Sequence, residues 1–275
     1  MGAIYSSYVE SRREAGKRAA ERIDFAWKRL KPTFDSLLPT MITESLCHQY
    51  AERRRKHDGV SNGTIHVELG YLRAALTYAT NKKNWLIHVP YVPIPPKPAP
   101  KDHFLTKDEA RTLIACASAE HVKLFITLAL TTAGRSEAIL DLTWDRVDMD
   151  RRKITLRDPV KHVTPKGRAT VPINEFAFAA LSKQRQGALT EYVIEWADRR
   201  IVSIKKGVRA AAARAGIKCS PHVLRHTAAV WMIEGGIPLE EISQYLGHTN
   251  IETTRRIYAR YSPSFLRRAS SFLEL

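Results

Sequence analysis

Residues 222–226 read HVLRH and residues 246–258 read LGHTNIETTRRIY. Ser220 and Pro221 stand just before the first stretch, a helix start in which serine caps and proline takes the first helical position. That helix ends at Gly235-Gly236. Pro238 to Leu246 is a second helix closed by Gly247, and Ile251 to Tyr261 is helical again. His222 and Arg225 are three residues apart and share one face of the first turn. Backbone N–H groups at a helix N-terminus favour an anion there, and a phosphate suits the site. His222 and His226 have the four-residue spacing of a metal pair, but neither an HExxH pattern nor a third ligand accompanies them. Taken singly, His248 is a C-cap donor behind a helix-ending glycine, and Tyr258 is a half-buried tyrosine on an amphipathic helix.

Working upstream, residues 121–132 are a very apolar, buried helix followed by Gly134 and Arg135. The glycine is positioned to end the helix and let backbone approach a ligand. Arg135 has ordinary partners within reach in Glu137 or Asp141. Lys153 to Arg157 alternates and Ala169 to Ile173 is a short β-type run, so the two predict a small antiparallel hairpin that carries Lys161 and Lys166. Thr106 to Glu109 is a capping box stapled by Leu105. Helices resume from Glu175, and Ser203 caps one that Gly216 ends.

Val89 to Asp102 reads VPYVPIPPKPAPKD, a proline density that favours an extended, semi-rigid connector. It is read as a linker over 89–102, separating a helical domain (1–88) from a second domain with a C-terminal tail (103–275). In the first domain Ile65, Leu69, Leu72, Leu76 and Ala79 recur at helical steps, with Ser61 or Asn62 as cap. Thr43 to Lys56 ends in the run Arg53-Arg54-Arg55-Lys56, a solvated helix end or a phosphate-contacting face. The whole is mainly α with a small antiparallel β-sheet.

The chain has 275 residues, 44 Lys plus Arg against 28 Asp plus Glu, and a formal net charge of +16. That balance points to a polyanionic partner, nucleic acid before an anionic membrane surface. Cys47, Cys116 and Cys219 are too few and too scattered for a disulfide framework or a thiol zinc site. The start of the chain is too short and polar for a secretory signal, and no apolar run is long enough to span a bilayer. A cytoplasmic protein that meets no membrane is expected.

The order and spacing of these elements carry more than any one of them. TAGRSEAILDLTW (132–144), HVLRH and LGHTNIETTRRIY together resemble the catalytic domain of the tyrosine recombinase, or phage integrase, family over nearly all of residues 103–262. The helical domain before the linker is similar to the family's core-binding domain. The resemblance implies catalytic roles for Arg135 and Arg225 on the phosphate, His222 as base or proton relay, His248 as a further phosphate donor and Tyr258 as nucleophile. Lys166 is implied as the general acid of the hairpin, with Lys161 as the alternative. Many members carry an acid three residues after the first arginine; here that position is Ala138, with Glu137 one place earlier. Tyr261 is a second tyrosine, ranked below Tyr258.

The implied activity is site-specific cleavage and rejoining of DNA through a 3′-phosphotyrosine link, which needs neither ATP nor metal, and no cofactor is expected. The implied partners are double-stranded DNA at recombination sites, three further copies in a tetramer, and accessory DNA-bending proteins. The implied setting is a bacterial or phage-encoded, nucleoid-associated protein. The tail residues Phe265, Leu266, Phe272 and Leu273 could dock on a neighbouring copy or on their own core. Rival readings are a non-catalytic helix-turn-helix over Pro238 to Tyr258, a type IB topoisomerase-like enzyme, and an inactive family member.

Overall fold

In a computed structural model of the chain the apolar repeat Ile65, Leu69, Leu72, Leu76 and Ala79 lies on one face of a long helix, Asn62–Asn81, and all five side chains are buried. The structure describes residues 1–16, 20–98, 102–156, 169–258 and 270–273. The chain divides into two compact units, Met1–Pro100 and Lys101–Leu275.

In the first unit that helix is α4, preceded by α1 (Gly2–Glu14), α2 (Ala20–Phe34) and α3 (Glu44–Lys56). Aromatic pairs tie them together: Tyr5 stacks on Trp27 with ring centroids 4.2 Å apart, and Phe34 meets Tyr50 at 5.4 Å. Thr43 caps α3, its hydroxyl accepting from the Leu46 N–H at 3.2 Å. Ser61 stands at the N-cap of α4 without a capping bond; its hydroxyl faces that of Thr64 instead.

The basic run at the end of α3 is not uniformly solvated. Cys47, Tyr50, Ala51 and Arg54 fall at three- and four-residue steps, so the helical repeat turns Arg54 inward with the apolar residues. Only 5% exposed, Arg54 donates from Nε and Nη2 to Glu68 at 3.0 and 2.6 Å, and from Nη1 to Asp58 at 2.7 Å. Glu68 also accepts from the Tyr50 hydroxyl at 2.7 Å. Arg53, Arg55 and Lys56 remain exposed. The proline-rich stretch packs back on this unit: Val92 is buried in its core, and the His66 Nδ1 lies 2.7 Å from the Pro95 carbonyl oxygen.

The second unit opens on α5 (Lys107–Ala115), started by the full Thr106/Glu109 capping box. α6 (Glu120–Thr132) is buried along nearly its whole length, and α7 (Ser136–Leu140) follows after a sharp turn. The predicted hairpin is present as β2 (Lys153–Thr155) paired antiparallel with β3 (Thr170–Pro172). β1 (Val147–Asp148), which the sequence did not reveal, adds a third strand on the other side of β2. Then come α8 (Glu175–Gln186), a short β4–β5 ribbon (Glu195–Trp196, Arg199–Arg200) and α9 (Lys205–Arg214). α9 starts on Ile204 rather than on a Ser203 cap; the Ile204 side chain is buried, so packing and not a hydroxyl fixes the helix start. α10 (Pro221–Glu234) lies against α6, and α11 (Leu239–Leu246) and α12 (Ile251–Tyr258) complete the described core. Lys161, Lys166, Tyr261, Phe265 and Leu266 fall outside the described residues, while Phe272 and Leu273 are exposed.

Candidate active site

Arg225 occupies the middle of the site because Ser220 and Pro221 set the start of α10. The Ser220 hydroxyl accepts from the Val223 N–H at 3.4 Å, which fixes the helical phase and brings residue 225 inward one turn later. Arg225 is 7% exposed, and its guanidinium joins two other chain segments. Nη1 donates to the Ala133 carbonyl at the end of α6. Nη2 donates to the Leu246 carbonyl at the end of α11, at 2.9 Å, and to the His248 Nε2 at 3.1 Å.

The turn carrying Arg135 differs in detail from its sequence reading. The left-handed residue that ends α6 is Ala133, at φ 49°, not Gly134. A side chain pays for that conformation with about 1–2 kcal/mol, and the Ala133 carbonyl so aimed receives Arg225. Gly134 is required by crowding: a Cβ there would stand 2.8 Å from Ile139 Cγ1. Arg135 then sits at the N-cap of α7, half-buried. Asp141 ion-pairs with Arg200, Glu137 is exposed and Ala138 is buried.

Gly247, left-handed at φ 60°, closes α11. The His248 N–H completes that closure by donating to the Ser243 carbonyl at 2.9 Å, which leaves the ring free to face inward. Besides Arg225, the ring meets the Thr254 hydroxyl, 2.7 Å from Nδ1. Tyr258 ends α12 on the same buried face as Thr254 and is 5% exposed. Its ring stacks on that of His226, centroids 5.4 Å apart and planes 26° apart.

Electrostatics give this cluster its character. Burial first, and the like charge of Arg135 second, lower the Arg225 guanidinium to about 10. Burial, then Arg225 and Arg135, hold the His248 imidazole down at about 4, so it is neutral near pH 7. Two guanidinium groups repel one another across a small cleft, and a phosphate between them would turn the repulsion into attraction. The same cleft is lined by Leu156 and Ala169, the two residues that flank segment 157–168 with Lys161 and Lys166. Among the described residues no group of three or more His, Cys, Asp or Glu could hold a metal ion.

The structure therefore brings together Arg135, Arg225, His248 and Tyr258. His222 is exposed on the first turn of α10 and makes no hydrogen bond to a described residue, whereas His226 is buried. The four-residue spacing of these two histidines gives no shared site. Thr254 was missed by sequence reasoning, and His226 was weighed there only as half of a metal pair. Their signal was positional: His226 falls on the buried stripe with Ala229, Val230 and Ile233, and Thr254 lies one turn before Tyr258. No helix among the described residues is long and apolar enough to cross a membrane.

Residues 103–264 match the model of the phage integrase family. The integrase of Salmonella phage P22 is 28% identical over 212 residues, which cover 72% of this chain and 54% of that protein. The chain thus spans about half the length of that relative. The tyrosine recombinase XerA of Thermococcus onnurineus is 27% identical over 228 residues, covering 78% of this chain and 76% of the relative. Among solved structures, the Tn1549 transposon integrase in complex with circular intermediate DNA superposes with a TM-score of 0.78 at 17% identity, covering 98% of this chain and 99% of that one. With more than half of its length matched by the family model and with the same fold, this chain belongs to the phage integrase family of tyrosine recombinases.

Proposed function

We propose that the protein is a site-specific DNA recombinase that cleaves and rejoins double-stranded DNA through a covalent link between Tyr258 and a 3′ phosphate, with no call on ATP or a metal ion. The observation that carries this reading is that Arg135 and Arg225 line one cleft of the second unit, with His248 hydrogen-bonded to Arg225 and Tyr258 close enough to act on its charge. Attack on a phosphodiester builds negative charge on the non-bridging oxygens. Two guanidinium groups stabilise that charge with preorganised, bidentate hydrogen bonds, each worth on the order of 3 kcal/mol. The phenol of Tyr258 forms the new P–O bond, and the 5′ oxygen leaves with a proton. Lys166, or Lys161 in its place, supplies that proton; the reading is supported by the position of Leu156 and Ala169 at the cleft. His222, on the exposed rim of α10, acts as base or relay once DNA covers that rim. The bond energy is stored in the phosphotyrosine, so rejoining runs the step backwards. Exchange between two duplexes needs four such sites, hence a tetramer on DNA. The first unit acts as a second DNA-binding arm, and accessory DNA-bending proteins assist.

A helix-turn-helix reading of α11 and α12 leaves the polar cluster unexplained, because α12 buries Thr254 against His248 and Tyr258 against His226. The test uses nicked suicide duplexes made from the DNA flanking the coding region. The wild-type chain should form a covalent adduct, and Tyr258→Phe should bind the same duplexes without forming one. An unchanged adduct with Tyr258→Phe would sink the assignment, and binding without any adduct by the wild-type chain would favour the non-catalytic reading.

A further inference from the structure

Thr254 is fully buried, sits one helical turn before Tyr258, and touches His248 rather than the cleft itself. The geometry settles which nitrogen of His248 carries its proton. A guanidinium can only donate, so Nε2, 3.1 Å from Arg225 Nη2, must accept. The single proton of the neutral ring is then on Nδ1, and it is donated to the Thr254 hydroxyl oxygen at 2.7 Å. That arrangement is the wrong way round for phosphate chemistry. A phosphate oxygen beside His248 needs a donor at Nε2.

We propose that Thr254 is the positioning residue that lets His248 reverse this arrangement. When a phosphate takes over the Arg225 donor, the ring gives up its Nδ1 proton to solvent and takes one at Nε2. The Thr254 hydroxyl then rotates from accepting at Nδ1 to donating to it. The ring is neutral in both states, one proton lost at Nδ1 and one gained at Nε2, so no net proton is taken up. A backbone carbonyl or a carboxylate in Thr254's place could only accept and would lock Nε2 as an acceptor. A hydroxyl serves both states. The proposal rests on the recombinase reading above.

The first test reads the proton directly, by long-range proton–nitrogen NMR of the His248 ring in the DNA-free chain. A proton on Nδ1 is expected, and one on Nε2 overturns the proposal whether or not the chain cleaves DNA. The second test measures single-turnover adduct formation at saturating suicide duplex. Thr254→Val should slow it on the order of ten-fold with the DNA dissociation constant unchanged, and Thr254→Ser should restore most of the rate. In a His248→Ala background Thr254→Val should add no further loss, because its effect passes through the ring. A wild-type rate in Thr254→Val, a Thr254→Ser as slow as Thr254→Val, or an equal loss in both backgrounds overturns it. Loss of the recombinase reading would instead appear as no adduct from the wild-type chain, or as an adduct that survives Tyr258→Phe.

Discussion

Replacing Arg225 by lysine and by methionine separates charge from geometry at the centre of the site. The lowering of the guanidinium from its ordinary value to about 10 means that burial and Arg135 penalise its charge by about 3 kcal/mol. Against that stand its bonds to the Ala133 and Leu246 carbonyls, each of which costs about 1–3 kcal/mol if left buried without a donor. Methionine forfeits both bonds but removes the charge penalty, so the terms nearly offset. Lysine keeps a charge near Arg135, and its one nitrogen cannot reach acceptors spread around a planar fork. Arg225→Met is therefore expected to be no more destabilising than Arg225→Lys, each by about 1–3 kcal/mol. Both should lose on the order of 10²–10³ in adduct formation, because neither offers a bidentate donor. Urea unfolding of the full chain, followed by tryptophan emission, measures the first expectation, and single-turnover cleavage measures the second. A methionine variant destabilised by more than about 5 kcal/mol beside a lysine variant of native stability would refute the charge argument.

Two further expectations concern stability. In the first unit, Arg54→Met leaves Glu68 charged and buried and should cost about 3–5 kcal/mol; a loss under 1 kcal/mol in urea unfolding would mean that water reaches the pair. His248 is held at about 4 in the fold against 6.5 ordinarily, so the unfolded chain binds a proton first as pH falls. The stability this contributes is complete above pH 6.5 and is lost as pH falls towards 4. After discounting for solvent screening of the half-buried ring, the loss is about 1–2 kcal/mol. It should disappear in His248→Gln, and an identical pH dependence in that variant would rule it out.

Much of the second unit was legible because its signals are local. The Thr106/Glu109 box, the Ser220-Pro221 start and the Gly247 stop each act within one helical turn, and each is present. The hairpin alternation was equally local, but β1 is two residues long and too short to show a period. Ser203 failed as a cap because the burial of Ile204, a tertiary effect, sets that helix start. Gly134 was rightly singled out for the wrong reason, since the side chain that forbids a Cβ there, Ile139, comes from the next helix.

By itself the sequence determined most of the helices from Thr43 onward and, through its motifs, the family, and spacing within helices fixes which residues share a face. Only the tertiary structure decided what each polar group meets. Arg225 joins the ends of α6 and α11, His248 takes Thr254 as its partner, and His226 rather than His222 lies against Tyr258. Those contacts run between segments up to 92 residues apart. They depend on how α6, α10, α11 and α12 pack, and no local pattern encodes that.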